Sequence, residues 1–211
     1  MAGTAPRSES SANMAVAEAC RSIRSDTADA VLVGATGTTL TTFNHLHAGF
    51  EDEIAEYDGV CRPFDRYRTG SVPGEGAGAI VLEEMHCALR RGATIYGEVL
   101  GAASASAVRL DRMAACRTAM GSALRQTLRR SGQSPASIGH IHAHGLGTRE
   151  SDLAEAQAIR DIFGDLASTT PVVAAKGHLG HAAAGSGALE LIASLLALKN
   201  GHLFPVGHYS D

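Results

Sequence analysis

The chain is 211 residues long, enough for one large domain or two small ones with a core of their own. Its net charge is −4 at pH 7 and only 19% of its residues are charged, so it has neither the basic footprint of a nucleic-acid binder nor a polybasic run for a membrane surface. Tryptophan is absent and glycine numbers 24, a mix that suits close packing of helices and sheets better than aromatic recognition.

Residues 1–10 are small and polar and read as a loop or frayed end. From Ser10 to Arg24, Ala12, Ala15, Val16, Ala19 and Ile23 recur at the three-and-four spacing of a buried helical stripe, with Ser8, Ser10 or Ser11 as candidate caps. ADAVLVG, residues 28–34, then reads as a strand entering a glycine turn. Thr36 to Tyr57 reads as a loop with a short helix, and its His45 and His47 support no site.

In the stretch from Cys61 to Glu84, Pro63 and Phe64 stiffen a turn, Asp65, Arg66 and Arg68 are able to pair, and GEGAG reads as a loop opening the strand Ala79 to Glu83. A dinucleotide fingerprint follows a strand and opens a helix, the reverse order. GATGTTL, residues 34–40, lacks the lysine of a phosphate loop, so no cofactor is expected. A helix is expected over Glu84 to Arg91, a long strand over Ile95 to Ala103, and an amphipathic helix over Asp111 to Ser131, ended by Gly132. Met113, Cys116, Met120, Leu124 and Leu128 form its apolar stripe. The four cysteines, Cys20, Cys61, Cys87 and Cys116, lack metal-ligand spacing, and the expected compartment is the cytoplasm, with the thiols reduced.

Two later stretches carry chemistry. Ile138 to His144 alternates as a strand does, which places His140, His142 and His144 on one face, before Gly145, Leu146, Gly147, Thr148 and a helix running from Glu150 to Phe163. A histidine at the carboxyl end of such a strand stands where open α/β sheets keep their working groups. Pro171 to Ala175 then reads as a short strand, KGHLGH at 176–181 as a turn, and 182–198 as a long buried helix that begins with small residues and carries Glu190, which argues against a membrane span. An imidazole at a helix amino terminus meets the positive end of the dipole, which keeps it neutral and leaves an N–H for an oxyanion. For His144 and His181 taken singly, a capping or packing role stays open.

Together these stretches resemble the β-ketoacyl-acyl carrier protein synthases, the decarboxylating condensing enzymes of the thiolase fold. HGLGT, with His144, is similar to their first histidine motif, Leu146 replacing a threonine; KGHLGH, with Lys176 and His181, is similar to the second. Asp152 and Glu155 match the D-x-x-E that follows the first motif, and CRPFDRYRTGSVPGEGAGAIVLEE, residues 61–84, reads like the stretch between the family's two halves.

The resemblance implies a layered α/β thiolase-like fold that is incomplete, with residues 1–104 ending the N-terminal half and 105–211 forming a C-terminal half short of its last strands. It implies that His144 and His181 flank a thioester oxygen, with Lys176 orienting a histidine and Glu155 holding the network. An ungapped alignment puts Glu9 where the family carries its nucleophilic cysteine, and Cys20, three turns along the helix, reads as a small buried apolar residue. Glu9 itself is open to two readings, a carboxylate complementing the helix dipole or a mimic of an acylated cysteine.

The implied partners are acyl carrier protein, acyl and malonyl thioesters, and a second ketosynthase-type subunit, as a homodimer or heterodimer, with no nucleic acid and no membrane. Three functions follow: a ketosynthase-type acyltransferase of fatty acid or polyketide biosynthesis unable to carry the acyl group itself, a non-catalytic chain-length-factor-like partner, and a zinc hydrolase using the H-x-H-x-H strand with His178 or His181. The first two expect no metal.

Overall fold

The structure, a computed structural model, describes residues 10–42, 54–55, 59–108 and 110–210; Glu9, His45 and His47 lie outside the described residues. The chain divides into two compact units. Among the described residues no helix is long and apolar enough to cross a membrane.

The first unit comprises residues 1–39, 74–99 and 182–203. Its described elements are helix α1 (Ser11–Arg24), strands β1 (Ala30–Thr38) and β2 (Glu75–Glu83), helix α2 (Met85–Arg90) and helix α6 (Ser186–Asn200). The two strands pair antiparallel from Ala30 opposite Glu83 to Thr38 opposite Glu75, so β1 runs four residues beyond the expected turn at Gly34. GEGAG is correspondingly not a loop but the first half of β2. The reason lies in packing: a Cβ at Gly76 would stand 2.7 Å from Leu189 Cδ1, and one at Gly78 would stand 2.8 Å from Ile192 Cδ1. Glycine at these strand positions lets α6 lie directly on the sheet, the close approach that glycine in a strand often marks. Val16, Ala19 and Val33 form the buried centre, with Cys20, Val31, Leu82 and Leu191 against it, and burial pushes the Cys20 thiol upward.

The second unit comprises residues 40–73, 100–181 and 204–211. It contains helix α3 (Arg112–Ser131), strand β3 (Ile141–His142), helix α4 (Arg149–Phe163), strand β4 (Val172–Val173) and the short helix α5 (Lys176–Leu179). α3 starts on the Asp111 carboxylate, which accepts from Met113 N and Ala114 N, and ends on Gly132 at φ 67°. Its Met and Leu stripe is only half-buried, and Gly121 is its one fully buried position. α3 is tied to α4 by the Arg117 guanidinium, which donates to both oxygens of Asp161 at 2.6 and 2.7 Å.

The expected strand over 95–103 joins no ladder among the described residues. Strand β3 is also shorter than the alternation suggested. It pairs parallel with β4, Ile141 N donating to Pro171 O and Ala143 N to Val173 O. At His144 the backbone amides leave the ladder for a carboxylate on α4, and the strand ends there.

Candidate functional site

That carboxylate is Glu155. Its Oε1 accepts from His144 N at 2.7 Å and its Oε2 from Gly145 N at 2.9 Å, so one side chain satisfies both amides of the turn. Gly145 turns at φ 50°, where a Cβ would come within 2.6 Å of Ala174 Cβ. Gly147, at φ 84°, passes so close to Gly70 that a Cβ would lie 2.6 Å from its carbonyl oxygen. Both glycines are therefore required by conformation and by crowding.

Four residues on from the Thr148 cap, Asp152 turns inward and is 1% exposed. Burial pushes its carboxyl above the usual range, although it accepts from Phe64 N at 2.8 Å and Gly147 N at 3.0 Å and has Arg68 at 3.7 Å. It thus clamps the 63–64 turn, where Phe64 holds φ at 63°, to the glycine turn beside His144.

Among the described residues Lys176 is the largest fully buried side chain, 2% exposed. Its Nζ donates to the His144 carbonyl at 2.7 Å and lies 3.2 Å from His144 Nδ1. An ammonium has donors and no lone pair, so Nδ1 is the acceptor and the proton of a neutral His144 ring sits on Nε2. Lys176 thus serves the histidine 32 residues away. His181 is placed by its backbone, which donates to Val72 O at 2.8 Å and bridges to Pro73. Its ring centre lies 6.1 Å from that of His144, with the planes at 85°. At that separation one oxygen, about 2.9 Å from a nitrogen of each ring, can accept from both.

The three-histidine metal reading is not supported. His144 leaves the strand at the Glu155 cap, and its Nδ1 faces the Lys176 ammonium, which would repel a cation. The His142 ring packs 5.5 Å from Phe204, and His178 Nε2 lies 2.8 Å from the Pro205 carbonyl, an acceptor that requires the nitrogen to donate. Among the described residues no group of three or more His, Cys, Asp or Glu is arranged for a metal ion.

The 62–68 stretch also pairs differently from its sequence. The Arg68 guanidinium donates to the carbonyls of Asp65, Thr148 and Arg149. The fully buried Asp65 carboxylate instead accepts from Tyr67 N at 2.6 Å and Ser210 N at 2.7 Å. Burial opposes its ionisation, but these N–H donors outweigh that and hold the carboxyl below its usual range. Cys61, buried, donates to Leu146 O at 3.6 Å, and burial pushes its thiol up to about 11. A nucleophile needs an accessible thiolate, which this environment denies.

Two family models match the chain, described as Beta-ketoacyl synthase, N-terminal domain, over residues 5–88, and Beta-ketoacyl synthase, C-terminal domain, over residues 96–210. Nodulation protein E of Rhizobium meliloti is 36% identical over 203 residues, 96% of this chain and 50% of that protein. Among solved structures, the ishigamide ketosynthase/chain length factor is similar with a TM-score of 0.80 at 33% identity, over 95% of this chain and 48% of that one. A type II polyketide acyl-carrier protein in complex with its ketosynthase bound to the hexaketide gives a TM-score of 0.81 at 28% identity, over 90% of this chain and 48% of that one. The chain spans about half the length of the curated relatives it matches. The layered α/β, thiolase-like fold expected from the motifs is the fold of these structures.

Proposed function

The chain belongs to the β-ketoacyl synthase family, and from that premise we propose that its histidine pair serves the decarboxylating half of a condensation in fatty acid or polyketide biosynthesis. The substrate is a malonyl thioester on an acyl carrier protein. The bond between its carboxylate carbon and its α-carbon breaks, carbon dioxide leaves, and the electron pair moves into the thioester as an enolate. His144 Nε2–H and an N–H of His181 donate to the oxygen on which the charge gathers. A donor placed where charge develops contributes about 3–4 kcal/mol to the transition state.

Lys176 fixes the His144 tautomer by occupying Nδ1, and Glu155 holds the backbone that carries the ring. The observation that carries this reading is the perpendicular approach of the two rings, 6.1 Å between centres, from motifs far apart in the sequence. The enolate then takes a proton at the α-carbon, giving an acetyl thioester. The chain does not itself carry the acyl group, because Glu9 stands at the resembling nucleophile position and burial raises the thiol pKa of Cys20 and of Cys61. On this reading residues 1–104 end one ketosynthase half and residues 105–211 belong to the other.

The test is release of labelled carbon dioxide from malonyl-acyl carrier protein. The wild type should release it, and His181→Ala should slow release by about 10²-fold or more; equal rates would refute the histidine role. The same unsuitable cysteines favour a second reading, a non-catalytic subunit that pairs with an active ketosynthase as a chain length factor does, and the likeness to a ketosynthase/chain length factor structure supports it. No release by the wild type, together with stable co-purification with a cysteine-bearing ketosynthase, would decide for that reading.

A further inference from the structure

α5, which begins at Lys176, is only four residues long. A helix of that length cannot hold itself, since one turn does not repay the cost of nucleation. The residues that support it come from 204–210, in the same compact unit. The Phe204 ring lies 6.3 Å from that of His178, and His178 Nε2 donates to the Pro205 carbonyl at 2.8 Å. Gly177 and Gly207 meet backbone to backbone, so closely that a Cβ on either would stand 2.8 Å from a backbone atom of the other.

The segment is then fastened at its end. Ser210 N donates to Asp65 Oδ2 at 2.7 Å and the Ser210 hydroxyl to the same oxygen at 3.3 Å, while Tyr67 N holds Oδ1. Asp65 is fully buried, so its carboxylate is costly unless these donors are in place. We propose that residues 204–210 form a strap that positions Lys176 against His144, with Asp65 and Ser210 as its latch and hence as positioning residues for the histidine pair. The strap itself follows from geometry, and only its effect on turnover rests on the function proposed above.

Ser210→Pro deletes the latching N–H and leaves Asp65 intact, whereas Ser210→Ala keeps the N–H at 2.7 Å and removes only the hydroxyl bond at 3.3 Å. Asp65→Ala removes the other side of the latch but endangers folding, so the Ser210 pair decides. In the full-length ¹⁵N-labelled chain, Ser210→Pro should shift the His144 Nδ1 resonance as its bond to Lys176 loosens. It should also speed exchange of the amides of residues 178–180 by about tenfold or more, the loss of one charge-assisted hydrogen bond, while α3 keeps its protection and Ser210→Ala, which loses only the longer hydroxyl bond, shows a smaller change. An unmoved Nδ1 resonance with unchanged exchange at 178–180 overturns the strap, and so does a loss of protection that reaches α3 equally.

Where the wild type releases carbon dioxide, Ser210→Pro should lower kcat by about tenfold with KM held within about twofold. An unchanged kcat overturns the positioning role. A wild type that releases none counts against the proposed reaction alone, and the strap is then judged by the resonance and the exchange.

Discussion

Replacing Lys176 with methionine separates stability from chemistry. Methionine has similar length and no charge, so Lys176→Met removes the two bonds to His144, at 2.7 and 3.2 Å, without opening a large cavity. Each hydrogen bond from a charged donor contributes about 1.5–3 kcal/mol. Against that, the substitution also abolishes the desolvation of an ammonium that is only 2% exposed, and exchanging a buried charge for an apolar side chain is often close to neutral. The net change in unfolding free energy should therefore stay within about 1.5 kcal/mol in either direction.

Turnover has no such compensation. Without the ammonium the His144 ring loses both the partner that confines its proton to Nε2 and the anchor on its carbonyl, so the enolate loses an aligned donor. Carbon dioxide release should fall by about 10²-fold, close to 2.7 kcal/mol of transition-state stabilisation. The assay pairs kcat and KM for malonyl-acyl carrier protein with a urea titration of the same preparation. A kcat kept within about threefold of the wild type, at unchanged stability, would refute the assignment of the tautomer to Lys176.

Gly147→Ala should destabilise by at least about 2 kcal/mol, since it adds left-handed strain to overpacking; the new Cβ would stand 2.6 Å from Gly70 O and 3.0 Å from Cys61 Sγ. A urea midpoint equal to that of the wild type would contradict this. Acid should unfold the chain in part through Asp65. Its folded carboxyl ionises below the ordinary 3.8, so its contribution is present above that pH and is lost as the pH falls through the folded value. Asp152, raised by burial, acts in the opposite sense: its contribution favours the fold at low pH and is lost as the pH rises from 3.8 through its folded value. Asp65→Asn should thus lower stability at pH 7 and flatten the limb below about pH 4. A denaturation series with an unchanged acid limb would contradict that assignment.

The parts of the site that were legible in the sequence are those written as local motifs. His144, Glu155, Lys176 and His181 stand in short strings with fixed spacing, and the structure brings them into one unit. Distances were not legible, nor was the choice of Lys176 for His144. GEGAG reads as a loop because glycine usually breaks strands, and only the approach of α6, more than 100 residues later, shows why a strand needs it. The H-x-H-x-H alternation predicts a strand over 138–144, but only Ile141–His142 forms one, so His140 and His144 both lie outside it, and the Glu155 carboxylate takes the His144 amide. The Asp65–Ser210 latch spans 145 residues and leaves no periodic trace.

Shared action of His144 and His181 on one oxygen can be measured by a double-mutant cycle on carbon dioxide release. If both donate to the same enolate, each alanine substitution should cost about 10²–10³-fold, and the double variant should be little slower than the worse single one. Losses that multiply in full, so that the two rings work independently, would contradict it.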